Sequence, residues 1–252
     1  MLLKREENMI PEFEINVIQL VDTVSISAII SLLTRCQRKG VCFMIKGTPE
    51  LIAGRREEII NACEMLYQTM SFKDITLKEI GKVVPFSRPT IYNYFQTKEE
   101  IFLALFEREY DRWNEELTLI LNSHDSMTEE ELADAVAGSL VNRPQLLKLL
   151  SMNNYDMEKD SRPELLAAFK ASYGRSLKLA EKLLEKFCPD LSDEDISRII
   201  YIFFPFMFGI YPYTDVTEKQ MNAMSDAGIE FQYQSVYDIV YKCLIALLKG
   251  IR

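Results

Sequence analysis

Within twelve residues, SRPTIYNYFQTK (Ser87 to Lys98), the chain sets one guanidinium, three hydroxyls, two phenols, two carboxamides and an ammonium. Arg88 has the planar fork that pairs bidentately with guanine O6 and N7, and Pro89 offers an apolar surface to a thymine methyl. Thr90, Tyr92, Tyr94 and Lys98 carry donors of the kind phosphate oxygens accept, and Asn93 stands among them. Ser87 suits the cap of a helix opening on Arg88-Pro89, where proline forfeits only an N–H that the helix would not use. Upstream, Thr76 would head the preceding helix, adding a hydroxyl and a helix N-terminus suited to one more phosphate. The chemistry these types and spacings fit is the reading of a polyanion with base edges. The expected contact set is Thr76, Ser87, Arg88, Pro89, Thr90, Tyr92, Asn93, Tyr94 and Lys98.

Two short helices must position these groups. Leu77 to Val84 and Arg88 to Phe95, separated by about three residues, have the spacing of a helix-turn-helix, with Ile80, Val83 and Val84 facing Ile91 and Phe95 as scaffold. A helical hairpin with exposed tyrosines is also a protein-binding surface, so an α-helical interaction module without DNA binding is the alternative. The net charge of −9 argues against nucleic acid only as a sum. Residues 111–252 hold 15 basic and 23 acidic side chains, whereas from Lys73 to Lys98 five bases (Lys73, Lys78, Lys82, Arg88, Lys98) face two acids (Asp74, Glu79), a local +3.

From Ala53 onward one device recurs: a hydroxyl residue, an acid or amide three positions later, then an apolar run of helical period. Thr76/Glu79, Thr97/Glu100, Thr128/Glu131, Ser161/Glu164 and Thr217/Gln220 fit the capping box, and Ser192/Asp195 is a weaker version. With no alternating strand pattern, the expected class is all-α. The run IIYIFFPFMFGIY inside 192–211 is apolar on every side, which predicts a helix buried all round, in a core or between chains. The helix over 235–249 adds a second broad apolar surface, so a subunit interface is expected there, with Ile199, Phe203, Val236, Val240, Cys243, Leu244 and Leu247 in it.

Enzymatic chemistry finds little support. The single histidine, His124, sits in a polar inter-helix stretch, and there is no Gly-rich phosphate loop, nucleophile motif, catalytic set or metal-ligand cluster, and no cofactor is called for. Acid runs such as Glu129 to Glu131 and Asp193 to Asp195 stand at helix starts, where the dipole favours them. The five cysteines (Cys36, Cys42, Cys63, Cys188, Cys243) are odd in number and lack a C-x-x-C pair, as in reduced thiols of a cytoplasmic protein. Ile15 to Leu33 is apolar, but Asn16, Gln19 and Asp22 interrupt it, so neither a signal nor a membrane anchor is expected. Residues 1–52 read as an N-terminal extension, untranslated or disordered, with Met44 the expected start.

The segment Arg55 to Trp113 resembles the DNA-binding domain of the TetR-type transcriptional regulators. The resemblance rests on the Ala-and-aromatic face of the first helix, Ile75-Thr76-Leu77-x-x-Ile80-Gly81, Ser87-Arg88-Pro89-Thr90-Ile91-Tyr92-x-Tyr94-Phe95 and Thr97-Lys98-Glu99-Glu100. It implies a three-helix domain over 53–112, with its helix-turn-helix at about 76–95, and a larger helical effector-binding and dimerisation domain over 113–252. The implied partners are a double-stranded DNA operator, a small-molecule effector and a second copy of the chain. The implied action is repression released by the effector. Met152, Tyr155, Phe169, Tyr173, Phe203, Phe204, Met207 and Tyr211 are the expected pocket residues, with Pro205 kinking the helix beside them. One position departs from the family pattern: Pro85 stands where the turn commonly has glycine, so the turn must avoid positive φ, with Val84 extended.

Overall fold

The computed structural model describes residues 48–152 and 154–250, and it is all-α. Among the described residues there are eleven helices: α1 (Pro49–Thr69), α2 (Leu77–Val83), α3 (Arg88–Ile91), α4 (Lys98–Ser123), α5 (Glu129–Val141), α6 (Pro144–Leu150), α7 (Asn154–Lys159), α8 (Pro163–Phe187), α9 (Asp193–Thr214), α10 (Glu218–Asp226) and α11 (Val236–Gly250). From Leu51 the chain forms one compact unit, and of the unit before it only Thr48, Pro49 and Glu50 are described. The apolar run 15–33, the Met44 start, Cys36 and Cys42 lie outside the described residues, as does the side chain of Tyr155.

Capping sets most of the helix starts. Full reciprocal boxes close α5 through Thr128 and Glu131, α9 through Ser192 and Asp195, and α10 through Thr217 and Gln220. Ser192/Asp195 is thus as complete as the boxes with a longer acid. Ser235 and Asp238 exchange the same two bonds before α11, a start that the S-x-x-D spacing could have flagged. Thr97 takes the Glu100 N–H at 3.2 Å, but the Glu100 carboxylate turns to the Gln96 N–H at 2.6 Å instead of completing the box. Ser161/Glu164 is a correction: α8 is capped at Arg162 with Pro163 first in the helix, and the Ser161 hydroxyl donates back to Met157 O at 2.6 Å.

α4 lies along α8, α5 packs on α11, and α9 contacts α6, α8 and α11. An aromatic column runs through the contact of α4 with α8 and α9: Phe106 stacks on Tyr110, Phe169 closes on both, and Tyr173 stands edge-on to Tyr110 and to Phe204. Trp113 is buried against Phe204, and its indole N–H donates to Ser139 Oγ at 3.0 Å, which satisfies the one polar atom that burial would strand. α1 is fastened to α4 by charge. Arg108 reaches Glu57, Asn61 and Glu64 at 2.6–3.1 Å, and Arg112 reaches Glu64 at 3.0 Å.

Within the subunit α9 is buried along one face. Its inner face (Ile196, Ile199, Phe203, Phe204, Met207, Ile210) is buried, while Tyr201, Ile202, Phe208 and Tyr213 are exposed, Tyr201 by 83%. By length and composition it is the one described helix that could cross a membrane, yet it is built into the core along one face. The helix continues through Pro205 and Pro212.

Candidate nucleic-acid interface

The short α2 and α3 are held by what lies beneath them. Ile80, Val84, Ile91 and Phe95 are buried, so the two helices cannot turn relative to each other without exposing apolar surface. Gly81 allows their close approach: a Cβ there would meet Arg88 Cβ at 3.3 Å and Ile91 Cδ1 at 3.6 Å. The turn over 84–87 handles Pro85 as expected, with Val84 at φ −69°, ψ 148° and Ser87 at φ −65°, ψ 145°. No described residue other than Gly228 has positive φ, so the turn needs no glycine.

α3 is a single α-turn, shorter than the Arg88–Phe95 helix expected, and turn bonds from Asn93 N to Thr90 O and from Tyr94 N and Phe95 N to Ile91 O (2.9–3.1 Å) carry it to Phe95. Arg88, Pro89 and Asn93 are exposed and Tyr92 is 47% exposed, so they share an open surface over the buried Ile91 and Phe95. Arg88 Nη2 donates to the Tyr92 hydroxyl at 3.3 Å, holding the guanidinium over the helix. Ser87 occupies the N-cap position, but its hydroxyl lies 3.0 Å from the Thr90 hydroxyl and makes no cap bond. Thr76 caps α2, taking the Glu79 N–H at 3.2 Å. Thr90 and Tyr94 are half-buried.

Lys98 is placed differently from a free phosphate contact. Its ammonium donates to Phe72 O at 2.8 Å and lies 4.2 Å from the Phe72 ring, tying the α1–α2 loop to the start of α4. An ammonium has three donors, so the tie leaves capacity for an anion. Lys82 is paired with Glu79 at 2.8 Å, whereas Lys73 and Lys78 are exposed.

The model of the bacterial regulatory proteins of the tetR family matches residues 59–105, and that of the tetracyclin repressor-like C-terminal domain matches 107–252, more than half of the chain. The chain belongs to the tetR family. Among solved structures, the fatty acid degradation regulator FadR of Bacillus halodurans is similar at 18% identity and a TM-score of 0.52, over 82% of this chain and 98% of that one. FadR of Bacillus subtilis, in complex with stearoyl-CoA, is similar at 16% identity and a TM-score of 0.53, over 78% and 99%. A TetR/AcrR-family regulator from Thermobifida fusca follows at 17% identity and 0.50, over 79% and 99%. At these identities the likeness is one of fold. No curated protein matches the sequence.

In this tetR-family chain an apolar cavity of about 40 Å³ lies among α4, α5, α8, α9 and α11 and presents no polar surface. Trp113, Leu117, Leu132, Ala133, Val136, Leu183, Leu184, Leu244 and Leu248 line it together with Phe203 and Phe204. Of the expected pocket residues only Phe203 and Phe204 are there. Phe169, Tyr173 and Met207 are packed in the core, Tyr211 is half-buried, and Met152 accepts the Tyr67 hydroxyl at 2.9 Å. The lining repeats at i, i+3 and i+4 on α4, α5 and α8, a pattern indistinguishable in sequence from ordinary core. The residues expected at a subunit interface differ in exposure within the subunit. Ile199, Phe203, Val240 and Leu244 are buried within the subunit, and only Val236, Cys243 and Leu247 keep partial exposure. Cys243 is a free thiol that burial pushes up to about 11.

Proposed function

We propose that this transcriptional regulator is a homodimeric repressor that reads a DNA operator with α3 and releases it when an apolar effector enters between α4, α5, α8, α9 and α11. The observation that carries the reading is the division of α3: Ile91 and Phe95 anchor it, while Arg88, Pro89, Tyr92 and Asn93 stand together in solvent. A recognition helix leads into the major groove with its N-terminal residues, which are Arg88 and Pro89 here. Thr76, Ser87, Thr90, Tyr94 and Lys98 complete the proposed contact set, with hydroxyls and an ammonium for the phosphates. The DNA-binding domain is assigned to 53–112 and the effector and dimer domain to 113–252. The protein works in the cytoplasm, as access to DNA requires in a bacterium, and carries no catalytic role.

The dimer face is assigned to the exposed stripe of α9, Tyr201, Ile202, Phe208 and Tyr213, with Val236, Cys243 and Leu247 of α11 at its side. The effector is apolar because the lining offers nothing to a polar group. The acyl chain of stearoyl-CoA, with which the B. subtilis FadR structure is in complex, is one such apolar group, and its polyanionic coenzyme A head would need polar partners outside this lining. A cavity of about 40 Å³ is far below the roughly 300–1,000 Å³ of ligand pockets. An acyl chain must therefore part the helices, and that differential binding is what can shift the spacing of two reading heads. Half-sites must sit about 34–36 Å apart, so a displacement of a few ångströms suffices.

The test is selection of duplexes from a random pool by the purified protein, followed by affinity titration at several salt concentrations. A selected sequence whose affinity falls steeply with salt, and which Arg88→Ala weakens by about 1–3 kcal/mol, is the expected outcome. Sequence-specific binding left intact by both Arg88→Ala and Tyr92→Ala would remove α3 as the reading element.

A further inference from the structure

Glu100 opens the first turn of α4 and is only 1% exposed. Four N–H groups meet its carboxylate. Gln96 N donates to Oε2 at 2.6 Å, and Arg162 donates three times: its backbone N to Oε1 at 3.2 Å, Nε to Oε1 at 2.7 Å and Nη2 to Oε2 at 3.1 Å. Arg162 Nη2 also reaches Tyr94 O at 2.8 Å, the carbonyl at the exit of α3. Beside them the Thr97 hydroxyl donates to Asp160 O at 3.2 Å. The end of the α3 turn and the joint between α7 and α8 are thus tied through one residue from each side.

The sequence arranges this economically. Arg162 precedes Pro163, which disfavours helical geometry at Arg162 and holds it extended (φ −65°, ψ 144°). Its backbone N–H is therefore outside the α8 ladder and free to meet the same carboxylate as its guanidinium. α8 then runs 25 residues without interruption, about 37 Å at 1.5 Å per residue, and carries Ala180, Leu183 and Leu184 to the apolar cavity near its far end. Tyr67 and Lys148 form a separate tie between α1 and α6, where the ammonium donates to Tyr67 O at 2.6 Å, but that tie does not touch α3.

We propose that Arg162 is a positioning residue for DNA reading: through Glu100 and the Tyr94 carbonyl it fixes the pitch of α3 on the rod formed by α4 and α8. This rests on the reading that α3 contacts DNA. Phosphate contacts tolerate small rotations because they fall on a repeating backbone, whereas base-edge pairs do not. Loss of Arg162 should therefore reduce specificity more than affinity for DNA in general.

The experiment uses the full-length protein, a duplex selected by the wild type from a random pool, and a scrambled duplex of equal length at the same salt. Arg162→Gln is expected to bind the selected duplex on the order of tenfold more weakly, the scale of coupling within one hydrogen-bond network, with scrambled-duplex affinity and far-ultraviolet circular dichroism unchanged. Arg162→Lys should recover part of the loss, since an ammonium replaces the charge but not the fork. Glu100→Gln should match Arg162→Gln, and the double variant should add little. Equal losses on both duplexes, or wild-type discrimination in Arg162→Gln, would overturn the proposal. Should Arg162→Gln not fold, Arg162→Lys decides: discrimination equal to wild type sinks the idea and an intermediate value supports it. If instead the wild type selects no sequence, or both Arg88→Ala and Tyr92→Ala retain its specificity, it is the reading of α3 that has failed.

Discussion

The apolar cavity can be tested by filling it with Ala133→Val. Ala133 is buried in α5 and lines the void, and the two added methyls are of a size with the 40 Å³ available. Burying two methyl-sized groups adds up to about 1.6 kcal/mol, an upper bound, and a β-branched residue in a helix loses up to about 0.7 kcal/mol. The balance is a gain of about 1 kcal/mol. For a chain of this size that raises the Tm by about 2–4 °C. Thermal unfolding must be compared at one protein concentration, because association shifts the apparent Tm. Calorimetric titration with stearoyl-CoA as probe then reads the functional side, and weaker binding by the variant is expected. A fall in Tm of several degrees would mean that the lining cannot admit the methyls, since overpacking costs about 1–3 kcal/mol. A higher Tm with unchanged binding of the probe would refute the cavity as the effector's point of entry.

On α9, replacing Tyr201 and Phe208 together by arginine should convert the proposed dimer to monomer in analytical ultracentrifugation while leaving helix content intact, and a dimer that survives would place the interface elsewhere. At Glu100, burial pushes the carboxyl up, but the Arg162 and Gln96 bonds more than reverse this and hold it below its usual 4.5. A depressed folded-state value gives stability that is complete above about 4.5 and is lost as pH falls through the lower folded value. Glu100→Gln should therefore flatten part of the acid limb of stability against pH, and an identical acid limb in the variant would contradict it. Ser192→Ala removes the cap of α9 and should cost about 1 kcal/mol in denaturant titration, whereas a change under a few tenths would show that tertiary packing alone holds that end.

How far the sequence reached differs by element. The capping spacing located α2, α4, α5, α9 and α10 because those bonds join residues three apart and need nothing from elsewhere in the fold. Ser161/Glu164 had the same spacing and failed, since the Arg162-Pro163 pair starts α8 one residue later. The turn at Pro85 was legible for a similar local reason: proline restricts the residue before it whatever surrounds them.

Beyond such local rules the fold decided. The exposed and buried sides of α9 could not be assigned from a run apolar all round, because periodicity carries no signal when every position is apolar. Only the packing of α9 on α6, α8 and α11 turned Ile199 and Phe203 inward and left Tyr201 and Phe208 in solvent. Likewise Lys98 and Glu100 belong to one sequence motif, yet their partners, Phe72 O and Arg162, lie 26 and 62 residues away. The sequence alone determined the helical class, the family, the helix starts and the chemistry carried by Ser87 to Lys98, since each of these is written in short-range spacing. Which apolar side chains face a cavity, a core or solvent, and which cation is spent inside the fold, depended on contacts between segments distant in the chain, and only the tertiary structure brings those together.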